Sequence, residues 1–189
     1  MGRVACLALV VVVVSGCGSG PKGHVYRVPS SSMEPTLHCA RPAPGCLADD
    51  ADLVFAVPYG NALPQRSDMV VFQTPDLARR ECGSGGLFIK RLIGLPGDVW
   101  AERNGKVYID GRPLAEPYVE PSRRDDRTMT LANLPPRGTL ARIPKRRYLL
   151  LGDNRQSSCD SRVWGLAPRA NIRGKVVEIK RGSRRIHLR

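Results

Sequence analysis

Three consecutive serines, Ser30–Ser32, stand in the stretch Val28-Pro29-Ser30-Ser31-Ser32-Met33-Glu34-Pro35-Thr36-Leu37. Two prolines so close together exclude a central strand. Met33 and Leu37 are out of place in a solvated linker, so the stretch reads as a loop that either ties two pieces together or presents a serine. A serine hydroxyl is a weak nucleophile until a base takes its proton. Histidine is the usual base, and the chain holds three. His24 precedes the patterned region and His187 lies in the tail, but His38 shares the loop segment of Ser32, which keeps a Ser-His arrangement open. Lysine is the other base used with serine. Lys22, Lys106, Lys145, Lys175 and Lys180 mostly adjoin Gly, Arg or chain ends, where a hydrated ammonium is expected. Lys90 instead lies inside the apolar run Leu87–Ile93. On a strand, Phe88, Lys90 and Leu92 share one face, and Ile89, Arg91 and Ile93 the other. An ammonium on an apolar face loses hydration, which lowers its pKa from about 10.4 and makes it a working base near neutrality. A lysine that snorkels to the strand edge is the competing reading. A third polar segment, Leu151–Gly165, follows a short apolar strand and reads as a loop held by its own hydrogen bonds, or as an ordinary Asx/Ser turn.

The elements that would position these residues are short and β-rich: Leu53–Val57, Met69–Phe72, Phe88–Ile93, Lys106–Ile109, Tyr148–Leu151 and Lys175–Ile179. Each is bounded by Gly, Pro, Asn or Asp, the pattern of strands and turns. Asn104-Gly105 marks a two-residue hairpin, and Asp110-Gly111 the next turn. No helical period of useful length follows residue 25. The fold class is therefore mainly antiparallel β. Residues 112–146, rich in Pro and Arg, read as an irregular part of an annex that spans about 99–147. A length of 189 residues fits one domain with such an annex.

At the N-terminus, Arg3 precedes an apolar run from Val4 to Val14, and Ser15-Gly16-Cys17 follows. A positive residue, a short apolar core and small residues describe an export signal. Residues 1–24 thus read as signal or membrane anchor and tether, and 25–189 as an exported domain. Outside Cys6 and Cys17, the cysteines are Cys39, Cys46, Cys82 and Cys159, an even set for an oxidising compartment with three pairings open. Cys39 and Cys46 bracket a tight Pro/Gly-rich loop and can pair locally, which leaves Cys82 with Cys159. Zinc is the alternative use, although there is no C-x-x-C. Thirty Lys+Arg against 17 Asp+Glu favour an anionic partner such as phospholipid. An aromatic content of 5%, with no stacking residues among the basic runs, argues against nucleic acid.

Taken together, these segments resemble the type I signal peptidases, membrane-bound Ser/Lys proteases. "PSSSMEPTL" is similar to their P-S-G-S-M-x-P-T-L, "RSDMVVF" to R-G-D-V-V-x-F, "FIKRLIGLPGD" to Y-I-K-R-V-I-G-L-P-G-D, and "GDNRQSSCDSRVWG" to G-D-N-R-D-N-S-x-D-S-R-x-W-G. The resemblance implies a mainly β fold, Ser32 as nucleophile and Lys90 as general base. It implies that Ser30 and the Ser32 N–H form the oxyanion hole, and that Ser158 orients the lysine. Asp160 with Arg162, and Asp153 with Arg91, match supporting ion pairs. The expected substrates are preprotein signal peptides with small residues at −1 and −3. No cofactor or metal is implied, and the active site is expected close to the outer surface of the plasma membrane. Ser31 and Ser67 stand where the family has glycine, and Gln156-Ser157 where it has Asp-Asn.

Two other readings stand beside this one. The self-cleaving repressors share the Ser/Lys dyad, but they carry a DNA-binding helical domain where this chain has an apolar segment. A non-catalytic exported lipoprotein binding anionic surfaces is the other. The run Val14-Ser15-Gly16-Cys17 also resembles a lipobox, so Cys17 is a candidate for lipidation, set against the retained apolar anchor that the family habit favours.

Overall fold

The protein is described here by a computed structural model covering residues 11–12, 22–138 and 140–188. Its strands are β1 (Val11–Val12), β2 (His24–Arg27), β3 (Leu53–Val57), β4 (Met69–Gln73), β5 (Leu87–Gly94), β6 (Trp100–Arg103), β7 (Lys106–Ile109), β8 (Arg112–Pro113), β9 (Met129–Thr130), β10 (Arg147–Leu151), β11 (Ala167–Pro168), β12 (Ile172–Arg181) and β13 (Arg184–His187). A large antiparallel sheet runs β1-β2-β3-β12-β4-β5-β10-β11, with β13 added to β12. A smaller sheet runs β8-β7-β6-β9. The architecture is the expected mainly antiparallel β.

Strand β4 explains how the large sheet is covered. Met69, Val70, Val71 and Phe72 are all buried, as a strand packed on both faces requires. Alternation splits them: Met69 and Val71 pack with Tyr26, Val28, Met33, Leu37 and Ile89. Val70 and Phe72 pack with Leu92, Leu150 and Trp164 on the other side. The serine loop thereby rests on one core, through Met33 and Leu37. A third core, around Trp100, Leu131, Leu134 and Ile143, joins the annex to Ile93, Leu149 and Leu151. In register, Lys90 lies opposite Val70, and Arg91 sits between Met69 and Leu151.

Within the described residues of 112–146 the annex adds only the short strands β8 and β9 and two 3₁₀ turns, and the turns expected at Asn104-Gly105 and Asp110-Gly111 precede them. Asn104 and Gly105 turn with φ of 48° and 70°, and Asp110 and Gly111 with 50° and 76°, so two tight turns build the small sheet. Two short helices also form, α1 (Asp76–Cys82) and α2 (Ser161–Trp164). Helix α1 follows Pro75, opens with Asp76 and ends at left-handed Gly83. Those are ordinary start and stop signals, on a helix too short to show a period. The apolar segment and Cys17 lie outside the described residues, apart from Val11–Val12. Among the described residues no helix is long and apolar enough to cross a membrane.

Phe72 is fully buried, with ring centroids 6.3 Å from Phe88 and 5.5 Å from Trp164. Phe72→Ala should lower unfolding stability by about 3–5 kcal/mol, read from urea denaturation.

Candidate active site

After β2 the chain passes Ser30 in extended geometry and makes one 3₁₀ turn, Ser31–Met33, closed by the Glu34 N–H donating to the Ser31 carbonyl at 3.1 Å. Burial of Met33 and Leu37 pins the turn and leaves Ser32 at the surface of a groove of about 580 Å³. Ser30, Lys90, Val28, Leu87 and Ile89 share its lining. Lys90 is only 2% exposed, and its Nζ donates to Ser32 Oγ at 2.5 Å. The snorkelling alternative therefore does not describe it. Its amine also lies 5.6 Å from the Phe88 ring centroid, on the strand face that alternation assigns to both. Ser30 Oγ is 3.3 Å from Ser32 Oγ. His38 is engaged elsewhere: its Nδ1 meets the buried Glu34 carboxylate at 2.7 Å. Glu34 also accepts the N–H groups of Cys39 and Leu47, which holds the following loop to the serine turn.

Behind this pair stands Gly152–Asn154. Asp153 is fully buried and takes a two-pronged contact from Arg91, at 2.9 and 2.6 Å, with a third hydrogen bond from Thr36 at 2.6 Å. Arg91 also stacks 3.9 Å from the Tyr118 ring centroid. Neighbouring positions on β5 thus face different partners, Lys90 the serine and Arg91 the acidic loop. Asp160 accepts from the Arg162 guanidinium at 2.9 and 2.8 Å and from the Gly152 N–H at 3.1 Å. Burial alone would raise the Asp160 pKa, but Arg162 outweighs it, with help from Lys90 and Gly152, and holds the carboxyl below its ordinary range. Ser158 Oγ is buried beside Gly152 and has no hydrogen-bond partner among the described residues.

The four cysteines form Cys39–Cys46 and Cys82–Cys159, so the zinc alternative loses these thiolates. Both bridges border the groove: Ala43, Pro44 and Gly45 line it from the first, and Cys82 and Cys159 line it directly. Ser67 has φ of 73°, a conformation that favours glycine. It is held there because its N–H donates to Leu92 and its carbonyl accepts from Arg91.

The family described as "Signal peptidase, peptidase S26" matches residues 2–180. The chain is 35% identical to a signal peptidase I of Leptolyngbya laminosa, over 94% of this chain and 77% of that one. It is 39% identical to a probable signal peptidase I-1 of Synechocystis sp., over 79% and 67%. A solved signal peptidase I from Enterococcus faecalis V583 is 33% identical, covers 60% of this chain and 96% of its own, and has a TM-score of 0.49.

Sequence reasoning missed an ionic bridge between the annex and the loop from Gly152 to Arg162. Arg155, fully buried, contacts Glu116 and donates to the Gly152 carbonyl at 2.9 Å. Arg162 reaches Asp125 at 2.7 Å and Glu102 at 3.4 Å. The single sequence signal was the pair of arginines in the loop; their annex carboxylates are distant in the chain. Glu102 is fully buried and one of its oxygens has no hydrogen-bond partner among the described residues. Burial pushes its pKa up to about 7, with Asp125 and Asp160 adding and Arg162 and Arg155 opposing. A folded pKa above the unfolded 4.5 means the folded state binds the extra proton. Stability from this group is then present below about pH 4.5 and lost as pH rises through about 7. Glu102→Gln should therefore be more stable than the parent at about pH 8, by up to about 3 kcal/mol. The gain should vanish toward about pH 4.5, in urea denaturation across pH.

Proposed function

The chain belongs to the signal peptidase family, peptidase S26, as a signal peptidase I, a serine endopeptidase acting on the signal peptides of preproteins, and on that premise we propose that Ser32 is its nucleophile and Lys90 its general base. The observation that carries this assignment is the 2.5 Å contact between Lys90 Nζ and Ser32 Oγ. Burial withholds water from the amine and favours its neutral form. The Asp160 charge works the other way, since it attracts the ammonium form, although Arg162 is its direct ion-pair partner. A neutral amine at that distance takes the Oγ proton as the oxygen attacks the scissile carbonyl. The Ser30 hydroxyl and the Ser32 N–H receive the developing oxyanion, each such donor typically worth about 3 kcal/mol of barrier. The protonated amine then donates to the leaving nitrogen. Lys90 next takes a proton from the water that hydrolyses the acyl-enzyme, and the carboxylate product leaves with Ser32 restored. Ser158, buried near Gly152, is the residue we assign to orienting the amine.

Preprotein segments would bind extended. Strand β5 pairs with β4 along Leu87–Arg91, whereas β10 pairs with it only at Arg91–Gly94. The stretch 87–90 thus keeps an edge without a β10 partner beside the groove, suited to an added strand. Small residues at −1 and −3 are the substrate preference that accompanies this reading. For location, the apolar run before β2 would hold the domain at the outer face of the plasma membrane, with phospholipid headgroups facing its excess of basic residues.

Ser32→Ala and Lys90→Ala should each abolish cleavage of a preprotein in detergent, with folding intact by circular dichroism. His38→Ala should keep it. Loss of activity in His38→Ala with survival of Lys90→Ala would replace the dyad by a Ser-His arrangement.

The anchor has its own measurement. Intact mass of the membrane-extracted protein should correspond to a chain that retains residues 4–14. A chain starting at an acylated Cys17 would instead establish a lipid anchor, for which two or more acyl chains suffice.

A further inference from the structure

Asn154 has no role in the chemistry above, yet it makes two contacts with the serine turn. Its carboxamide Nδ2 donates to the Ser31 carbonyl at 3.0 Å, and its backbone N–H donates to the Ser32 carbonyl at 3.1 Å. It is 3% exposed. The Ser31 carbonyl and the Ser32 N–H belong to one planar peptide and point in opposite directions across it. A donor that fixes the carbonyl therefore fixes the direction of the N–H. The Glu34 N–H shares the same carbonyl, but it belongs to the turn itself and moves with it. Asn154 is tied to the opposite side of the site, since Asp153 beside it is locked by Arg91, the neighbour of Lys90. The close approach depends on Gly152, where an added Cβ would lie 2.4 Å from the Ser32 carbonyl oxygen and 2.2 Å from Ser158 Oγ.

We propose that Asn154 is a positioning residue that aims the Ser32 N–H at the oxyanion by holding the Ser31–Ser32 peptide plane in register with the Lys90 strand. This rests on the reading of Ser32 as nucleophile and of its N–H as an oxyanion donor. Such a residue acts on the transition state and leaves ground-state binding of the peptide unchanged.

The test uses the full chain in detergent, as Asn154→Ala and Asn154→Asp. The Asp variant keeps the size and the main-chain bond while replacing the donor with an acceptor facing the Ser31 carbonyl. Its reading stands in for the Ala variant should that one fold poorly by circular dichroism. The expected result is a fall in kcat of about tenfold to a hundredfold, less than the loss of an oxyanion donor itself, with KM within about twofold. Affinity for a peptide aldehyde, which adds Ser32 Oγ to its carbonyl, should fall in step with kcat. Affinity for the matching peptide alcohol, which cannot add, should hold. Unchanged kcat, a rise in KM alone, or equal loss of aldehyde and alcohol affinity would overturn the proposal. Ser32→Ala separates the two layers. Turnover by Ser32→Ala would remove the nucleophile assignment and this inference with it. An inactive Ser32→Ala beside a fully active Asn154→Ala removes the inference alone.

Discussion

Keeping the Lys90 amine out of water and against Ser32 is the constraint on which the rest of the structure depends. A lysine side chain is long, flexible and strongly hydrated, so its natural position is the surface. Holding it 2% exposed needs a backbone that cannot slide and walls that cannot open. Strand β5 provides the first, because β4 pairs with it through Lys90 and a one-residue slip would turn Lys90 to the other face. The cores on either side of β4 and β5 provide the second. The serine loop is then brought to the amine by burial of Met33 and Leu37, with no contribution from a regular element longer than one 3₁₀ turn.

The second consequence is a concentration of buried charge. Arg91, Asp153, Arg155, Asp160, Arg162, Glu102 and Glu116 are all buried. Pairs of this kind add little net stability over apolar residues of similar volume, whereas removing one partner costs about 3–5 kcal/mol, except at Glu102, where the burial cost of the charge outweighs its pairing. Their effect is therefore geometric: they allow one arrangement of the loop after β10 and penalise the others. The annex supplies two of these carboxylates, Glu102 and Glu116, and adds the partly exposed Asp125. A small sheet that looks peripheral thus sets the back of the loop that carries Gly152 to Arg162.

Legibility in the sequence followed the range of the interactions. The strands around Leu53, Met69, Lys106 and Tyr148 were legible because alternation and turn residues are local signals. Lys90 stood out because a cation in an apolar run is a local anomaly. Helix α1 was not read, since seven residues are too few to display a period. The contacts of Asn154, Arg155, Glu102 and Glu116 were not legible because their partners lie far away in the chain. The turns at Asn104 and Asp110 were legible from their Asn-Gly and Asp-Gly pairs, whereas β8 and β9 were not, because two-residue strands show no alternation.

The two positions where serine stands in place of the family's glycine have different physical consequences. Ser67 is held at positive φ by hydrogen bonds to β5 at both ends of its peptide units, so it keeps a glycine conformation with a side chain attached, at a cost of order 1–2 kcal/mol. Ser31 has no such strain. Its difficulty is space, and the space comes from Gly45, which adjoins Cys46 in the Cys39–Cys46 loop. A Cβ built on Gly45 would lie 2.8 Å from Ser31 Oγ, and Gly45 has φ of 77°. The loop can close over the serine turn only while position 45 has no side chain. The Cys39–Cys46 bridge and the Glu34 carboxylate fix that loop in place. The hydroxymethyl of Ser31 therefore meets a wall shaped to admit it, and the groove beside Ser32 is bounded by a contact that a glycine at position 31 could not make.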